Sequence, residues 1–197
     1  VCEKWGADVQ LVAEAMGLDN RIGPSFLKAG PGYGGSCFPK DASALVRMAE
    51  DCGEPVLLVE AMIKANQRHK LRMVDKIKDG LGNLAEKNIA ILGITFKPNT
   101  DDIRESPALV ILPSLVKHGA KLRVYDPFGR KNGELAFSEI LESITWCNDI
   151  YEAVSDSDAT VILTDWEEFR NIDFDRFNTL NARKVLFDLR NLYEKMS

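Results

Sequence analysis

The sequence predicts an α/β protein in which a helical region is followed by a parallel β-sheet with flanking helices. Two observations indicate this fold class. Residues 1–84 carry apolar side chains at helical spacing, interrupted by a glycine-rich segment. Across residues 85–197, short apolar runs alternate with helical segments, which is typical of successive β-α-β units in a doubly wound sheet. We therefore expect two domains with these bounds.

The helical region is predicted to contain three helices. A short amphipathic stretch over residues 6–17 precedes a turn-rich segment over residues 18–38. The next helix is expected over residues 39–51, because Pro39 suits the first turn of a helix. A longer helix is expected over residues 55–81, and it is too long for a small domain to cover. We expect it to connect the two domains and to form part of a subunit interface.

The sheet is predicted from short apolar runs. Residues 89–94 contain no polar side chain, as expected for a parallel strand that is buried on both faces. Ser106 and Pro107 should cap a helix that ends at Gly119. Further strands are expected over residues 122–125, 159–163 and 185–188, with short helices over residues 138–141 and 150–154.

Composition excludes several classes of protein. The 197 residues are 45% hydrophobic and 28% charged, with a net charge of −5 and no basic stripe, which argues against nucleic-acid binding. No apolar run approaches the roughly 20 residues that span a bilayer, and the first residues do not resemble a signal peptide. The four cysteines and two histidines lack zinc-site spacing. We therefore expect a cytoplasmic protein with reduced thiols, no metal site and no membrane contact.

The predicted sheet is Rossmann-like but lacks the dinucleotide fingerprint. Only Gly93 follows the first strand, where three spaced glycines would let backbone approach a pyrophosphate. Asp126 ends the second strand, where a ribose-binding acid would stand, but without the glycines we expect it to terminate the strand. Lys97 and Arg190 each follow a strand, so both cations should lie at the ligand-binding edge of the sheet. They favour an anionic ligand there, and a solvated polar loop is the alternative.

The glycine-rich segment contains the chemically most informative residues. Four glycines among residues 30–35 free the backbone to adopt positive φ and to approach a ligand closely. Cys37 follows at the start of a helix, where the helix dipole and Lys40 favour the thiolate. Asp41 lies one turn further on and could accept a proton. The pattern therefore predicts an activated cysteine beside a base, and the alternative is a glycine-rich turn with an incidental thiol.

The sequence also resembles a known enzyme family. Residues 26–41, FLKAGPGYGGSCFPKD, resemble the active-site motif of UDP-glucose dehydrogenases, and residues 93–97 and 100–107 resemble the nucleotide-sugar-binding domain of that family. The resemblance covers essentially the whole chain. It implies a two-step oxidation of a sugar C6 alcohol to a carboxylate with two NAD, in a homodimer built on the helix over residues 55–81. The family's NAD-binding domain and its catalytic Lys and Asn would precede Val1, so we expect this chain alone to be inactive.

The resemblance implies a role for each matched residue. Cys37 would trap the intermediate aldehyde as a thiohemiacetal that becomes a thioester, and Asp41 would assist its hydrolysis. Arg21 would reach into the partner subunit's site, while Lys40 and Arg104 would lie on the NAD side of the cleft. The residues that would contact the UDP-sugar within the same chain are Phe26, Lys28, Gly30, Tyr33, Gly34, Phe96, Lys97 and Arg190.

Two alternative functions remain open at this point. The same chemistry could serve GDP-mannose or UDP-N-acetylmannosamine, although the form of residues 26–36 favours UDP-glucose. A different class would be a non-catalytic module that binds a sugar nucleotide and dimerises. The sheet without a glycine fingerprint supports the module, whereas the intact Cys37 and Asp41 argue against it, because binding alone needs neither.

Overall fold

The computed structural model describes residues 1–181, 183 and 185–193. The α-helices of this part are α1 (Cys2–Trp5), α2 (Val9–Gly17), α3 (Phe38–Cys52), α4 (Leu57–Leu81), α5 (Ala108–Lys117), α6 (Arg130–Ala136), α7 (Ile150–Val154), α8 (Glu167–Arg170) and α9 (Phe174–Leu180). The strands are β1 (Asn88–Leu92), β2 (Lys121–Tyr125), β3 (Ile144–Trp146), β4 (Ala159–Ile162) and β5 (Leu186–Asp188), with a 3₁₀-helix at Ser138–Ser143. The predicted α/β class with a parallel sheet and flanking helices is confirmed.

The five described strands form one sheet in the order β3-β2-β1-β4-β5, and every neighbouring pair is parallel. β1 is the central strand, and all four residues of its neighbour β4 are buried. The strand order reverses direction between these two strands. In such a sheet the ligand crevice forms outside the carboxyl ends of the strands at this point.

Apolar side chains cover both faces of the sheet. On one face the second half of α4 contributes Val74 and Ile77 to a buried cluster, and α5 contributes Ile111 and Leu112. On the other face the buried cluster contains Val154 of α7, Phe169 of α8 and Phe177 of α9. Alternate residues of β1 enter the two clusters because successive side chains of a strand point to opposite faces. Each fully buried side chain of this size stabilises the fold by about 1.5–3 kcal/mol.

The long helix α4 changes character along its length. Its second half is part of the core of the sheet domain, whereas Leu57 and Leu58 at its start are 68% and 88% exposed. Between these parts, Asn66 and Lys70 are buried although they are polar. The helix therefore connects the two regions, and its middle carries polar side chains toward the glycine-rich segment. The domain boundary at residues 84 and 85 stays a prediction.

Several short elements differ from the sequence-based expectations. The helix expected from residue 55 begins at Leu57, and the one expected over residues 138–141 is the 3₁₀-helix. Helices α6, α8 and α9 were not predicted, because four to seven residues are too few to show helical periodicity. Strand β3 was also missed. It has three residues at the edge of the sheet, and its middle residue, Thr145, is exposed.

Asp126 terminates β2 and joins three loops at the carboxyl ends of the strands. Its carboxylate accepts hydrogen bonds from the backbone N–H groups of Ile94 at 2.7 Å and Gly129 at 2.8 Å. It also accepts from the Thr95 backbone N–H at 3.1 Å and from Trp166 Nε1 at 3.3 Å. The expectation that Asp126 has a structural role is therefore confirmed, and its carboxylate is occupied within the fold.

Candidate functional site

A cleft of about 770 Å³ lies between the glycine-rich segment, α4 and the loop after β1. We call it the loop cleft. Its lining includes Met62, Ala65 and His69 of α4 together with side chains and backbone from residues 24–34 of the glycine-rich segment. Seven of the nine residues expected to bind the substrate line it, namely Phe26, Lys28, Gly30, Tyr33, Gly34, Phe96 and Arg190. The geometry therefore brings together residues that are more than 150 positions apart in the sequence.

Helix α4 holds the glycine-rich segment through its backbone. Oδ1 of Asn66 accepts from the Tyr33 N–H at 2.9 Å, and Nδ2 of Asn66 donates to the Tyr33 carbonyl at 3.1 Å. Nε2 of His69 lies 2.9 Å from the Gly30 carbonyl oxygen and can donate to it. Asn66 therefore pairs with Tyr33 as a neighbouring strand would, and α4 fixes the course of the loop.

The loop also rests on the segment that precedes α5. The Gly35 N–H donates to the Arg104 carbonyl at 2.8 Å. A side chain at Gly34 would collide with the Glu105 carbonyl oxygen, so only glycine permits this close approach. From the other side, Nζ of Lys70 donates to the same Glu105 oxygen at 3.0 Å. The glycine-rich sequence is therefore needed here for packing against backbone.

Arg190 closes one end of the loop cleft. It follows β5, and its guanidinium forms a short hydrogen-bonded ion pair with Asp165, which follows β4. A Cβ atom at Gly30 would lie 2.8 Å from Nη1 of Arg190, so the guanidinium packs directly on the loop backbone. Lys28 and Arg190 also border a neighbouring cavity of about 240 Å³ beside α2. Two cationic side chains thus border both cavities.

Phe96 and Lys97 follow the first strand, and the structure separates their positions. The Phe96 ring lines the loop cleft, and a side chain at Gly35 would meet that ring at 2.8 Å. Lys97 is exposed and does not line the cleft. Its Nζ lies 5.4 Å from the centre of the Phe96 ring, a distance at which a cation is attracted to an aromatic face.

Cys37 lies three residues beyond the cleft-lining Gly34 and is exposed. It is the N-cap residue of α3, and its carbonyl accepts from the Asp41 N–H at 2.8 Å. Nζ of Lys40 lies 3.1 Å from the Asp41 carboxylate, and both side chains are mainly exposed. The thiol is therefore accessible at the first turn of a helix with a cation and a carboxylate nearby, although neither Cys37 nor Asp41 lines the cleft.

Arg104 lies near the thiol and is held by Asp102. Its Nε and Nη2 bond both oxygens of the Asp102 carboxylate at distances of 2.7–3.1 Å. This hydrogen bonding raises the pKa of Arg104, and the negative charge of Cys37 as a thiolate contributes further. The same contact lowers the pKa of Asp102, and Lys97 adds a smaller electrostatic effect. Arg104 therefore lies within electrostatic range of the exposed sulfur.

Two predicted substrate residues at the start of the segment extend away from the core. Arg21 lies outside the loop cleft, where its exposed guanidinium bonds both Asp19 oxygens at 2.5–3.2 Å. Phe26 has a positive φ of 64° and a fully exposed side chain at the cleft rim. A positive φ is unfavourable for a bulky residue and often marks a functional segment. Both side chains are exposed.

The sequence interpretation missed three polar residues of α4, namely Asn66, His69 and Lys70. All three bond the backbone of the glycine-rich segment or of the segment before α5. One signal could have revealed two of them. Asn66 and Lys70 continue, at helical spacing, the apolar stripe that runs through Met73 and Ile77. A polar residue within such a stripe is buried and must find a partner.

The sequence also raised the questions of disulfide bonds, metal sites and membrane-spanning helices. All four cysteines, Cys2, Cys37, Cys52 and Cys147, are free thiols. Among residues 1–181, 183 and 185–193, no group of three or more His, Cys, Asp or Glu side chains could hold a metal ion. Within the same residues, no helix combines the length and the apolar character needed to cross a membrane.

Two family models match the chain. The UDP-binding domain of the UDP-glucose/GDP-mannose dehydrogenase family matches residues 90–195, which is more than half of the chain. The central domain of the same family matches residues 1–68. The first range covers the sheet from Ala90 of β1 onward, and the second contains the glycine-rich segment.

Curated relatives and solved structures are similar to this chain. The chain is 48% identical to a UDP-glucose 6-dehydrogenase of Rhizobium meliloti and 44% identical to UDP-glucose 6-dehydrogenase TuaD of Bacillus subtilis, over 99% and 98% of its length. It covers 44% and 41% of those proteins. A solved UDP-glucose dehydrogenase from Pyrobaculum islandicum matches 95% of this chain with a TM-score of 0.82 at 31% identity, and 44% of that chain is covered. A GDP-mannose dehydrogenase from Pseudomonas aeruginosa matches all of this chain with a TM-score of 0.74 at 25% identity, over 45% of its own length.

Proposed function

Because the chain belongs to the UDP-glucose/GDP-mannose dehydrogenase family, we propose that it supplies the sugar-nucleotide site and the nucleophile of an NAD-dependent UDP-glucose 6-dehydrogenase. The observation that carries this proposal is the loop cleft, which gathers Arg190, Lys28 and the glycine-rich backbone around one cavity. The two relatives named above, both UDP-glucose 6-dehydrogenases, support UDP-glucose as the substrate. The chain spans less than half the length of these relatives.

The proposed binding mode follows from charge and from backbone access. Arg190 is preorganised by Asp165, and its fork of donors suits the oxygens of a diphosphate. Lys28 lies on the same side of the cleft and adds a second positive charge. The sugar would lie under residues 28–34, where glycines allow close approach, with the Phe96 ring as an apolar wall. Lys97 beside that ring would contact the charged groups of the ligand.

Cys37 is proposed to be the nucleophile. Its thiolate sulfur would add to the carbonyl carbon of the intermediate aldehyde, and the carbonyl oxygen would take up a proton to give a thiohemiacetal. After oxidation to the thioester, water would add to the carbonyl carbon and the C–S bond would break, returning the thiolate. Asp41, one helical turn from Cys37, would accept the proton of that water. The adduct prevents release of a reactive aldehyde between the two steps.

NAD is proposed as the oxidant, but the described sheet does not fit it. The loop after β1 has only Gly93 where a pyrophosphate would need several glycines, and a side chain there would collide with Thr164. The Asp126 carboxylate is consumed by internal hydrogen bonds and cannot bind a ribose. Lys40 and Arg104, which are exposed near Cys37, are the residues of this chain proposed to face the cofactor.

A cytoplasmic homodimer is the proposed assembly. The exposed Leu57 and Leu58 at the start of α4 leave apolar surface that a second copy could cover. Arg21 extends from the same helical region with an exposed guanidinium. We propose that this arginine reaches the UDP-sugar in the site of the partner subunit. The measurement is the molar mass in solution, with and without the substitution Leu58→Glu.

Calorimetric titration of the chain tests the substrate. UDP-glucose should bind, and Arg190→Ala should remove most of the affinity. GDP-mannose and UDP-N-acetylmannosamine should bind more weakly, and preferential binding of either one would replace UDP-glucose as the substrate. If none of the three sugar nucleotides binds, the loop cleft is not a sugar-nucleotide site.

Iodoacetamide labelling tests the nucleophile. Cys37 should react faster than the exposed Cys52 near neutral pH, and bound UDP-glucose should change only the Cys37 rate. Equal and slow labelling of both cysteines, combined with tight UDP-glucose binding, would favour a non-catalytic binding module. The chain alone is expected to produce no NADH from UDP-glucose and NAD, and steady NADH production would contradict that expectation.

A further inference from the structure

The ammonium group of Lys70 is buried in a place where the proposed chemistry does not use it. The residue is 1% exposed in the middle of α4. Burial lowers the pKa of Lys70, while the charge of Glu105 opposes this effect. Taking an ammonium out of water is costly unless hydrogen bonds replace the lost hydration. A methionine would pack at this position at lower cost, so the lysine calls for a reason based on its hydrogen bonding.

Lys70 bonds the backbone carbonyl of Glu105, a residue whose backbone has an unfavourable conformation. Nζ donates to the Glu105 carbonyl at 3.0 Å. Glu105 has a φ of 55°, in the left-handed region that non-glycine residues rarely adopt. Such a conformation persists only where the surroundings hold it. The ammonium of Lys70 supplies such a restraint on the segment before α5.

The same carbonyl supports the glycine-rich segment that leads to Cys37. Gly34 packs so closely on the Glu105 oxygen that no side chain would fit, and the Gly35 N–H bonds the neighbouring Arg104 carbonyl. The stem of Lys70 contacts the segment as well, because a side chain at Gly32 would meet Cγ of Lys70 at 3.0 Å. Lys70 therefore touches both the cysteine-bearing segment and the backbone on which that segment rests.

We propose that Lys70 is a positioning residue that fixes the Cys37 segment on the sheet domain by holding the Glu105 carbonyl between α4 and Gly34. The proposal deepens the proposed function, because the segment it fixes carries the nucleophile and lines the loop cleft. Phe96 belongs to the same arrangement, since its N–H donates to the Asp102 carbonyl at 3.1 Å and its ring packs on Gly35. Lys70 thereby sets the position of the thiol relative to the sugar site.

Hydrogen exchange without ligand tests the proposal. In Lys70→Met, exchange of the Gly35 amide should rise at least tenfold, while amides of β1 and β4 keep their protection. Lys70→Arg retains a charged donor and should restore most of the protection. Arg68→Met changes an exposed cation two residues away on the same helix and should have no effect. The alkylation rate of Cys37 should change in Lys70→Met and not in Arg68→Met, with Cys52 as the internal reference.

The outcomes separate a positioning role from simple packing. Unchanged Gly35 exchange and unchanged Cys37 alkylation in a folded Lys70→Met variant would overturn the proposal. Equal effects of Lys70→Met and Lys70→Arg would also overturn it, because the hydrogen bond would then be irrelevant. If Lys70→Met does not fold, Lys70→Gln, whose amide ends one atom short of the ammonium, should give the same change to a smaller extent. These measurements need no UDP-glucose, so they are independent of whether the proposed substrate binds.

Discussion

The side-chain amide of Asn66 pairs with both backbone polar groups of Tyr33. It accepts from the Tyr33 N–H at 2.9 Å and donates to the Tyr33 carbonyl at 3.1 Å. Asn66 is 8% exposed, so both of its amide groups would lack partners if the loop moved away. A buried polar group without a partner costs free energy, and this cost ties the glycine-rich segment to α4.

Replacing Asn66 therefore should release the loop. Asn66→Ala is expected to lower the free energy of unfolding by about 2 kcal/mol, because two backbone groups of Tyr33 lose their partner. UDP-glucose affinity should fall as well, since the loop lines the cleft. Urea unfolding and calorimetric titration measure the two effects. Gln67→Ala, at an exposed neighbouring position, should change neither. Affinity equal to wild type in a folded Asn66→Ala variant would show that the loop needs no support from α4.

Substitutions at Gly34 and Gly53 would destabilise the fold for different reasons, one through a steric clash and the other through backbone strain. A side chain at Gly34 would collide with the Glu105 backbone, although the φ of Gly34 is not positive. Gly53 has a φ of 75° at the end of α3 and open space around it. Gly34→Ala should lower stability by about 1–3 kcal/mol through overpacking and should also weaken UDP-glucose binding. Gly53→Ala should cost about 1–2 kcal/mol and leave binding unchanged. Weakened binding in both variants would mean that lost stability, and not the loop contact, controls affinity.

The guanidinium geometry of Arg190 should matter beyond its charge. Asp165 and the Gly30 backbone hold this group at the edge of the loop cleft. Arg190→Lys keeps the charge but loses the fork of donors, and we expect UDP-glucose affinity to fall roughly tenfold. Arg47→Lys is the control, because Arg47 forms an exposed ion pair with Asp51 on α3 and does not line the cleft. If Arg190→Lys binds as tightly as wild type, only the positive charge is needed.

Much of the fold could be predicted because its determinants are local. The buried central strands appear as short apolar runs, and Pro39 marks the start of α3 closely. β3 and the helices α6, α8 and α9 could not be predicted in this way. Their few residues are ordered by contacts with distant parts of the chain, as when Trp146 of β3 packs on Gly133 of α6.

The sequence predicted the cysteine motif of the candidate site but not the side chains that support it. Cys37 and the glycines form a continuous motif, so the sequence alone drew attention to them. Asn66 and Lys70 lie 29 and 33 residues beyond Cys37 and bond backbone groups, which any residue type can offer. The sequence therefore contains no complementary pair of side chains that would indicate such contacts. The position of Lys97 also needed the structure, because only the geometry shows that Phe96 lines the cleft while Lys97 lies outside it.

Asp158 joins the beginnings of β1 and β4 through its carboxylate. The carboxylate accepts from the Asn88 N–H at 3.0 Å and pairs with Lys87 at 3.1 Å and Arg183 at 3.2 Å. Partial burial alone would raise the pKa of Asp158. The hydrogen bonds from Lys87 and Asn88, with the charges of Lys87 and Arg183, outweigh burial, so the pKa is lowered. This interaction depends on the charged form of the carboxylate.

The contribution of Asp158 to stability should therefore disappear in acid. Its folded pKa lies below its unfolded pKa, so the stabilisation is fully present above the unfolded value of about 3.9 and is lost as the pH falls through the folded value. Asp158→Asn should lower the free energy of unfolding by about 1 kcal/mol at pH 7, and the difference from wild type should shrink below about pH 4. Urea unfolding at several pH values measures it. Asp156→Asn, at an exposed position with a φ of 56° that asparagine tolerates, serves as the control. A difference that stays constant from pH 7 to pH 3 would mean that Asp158 stabilises the sheet through its shape and not through its charge.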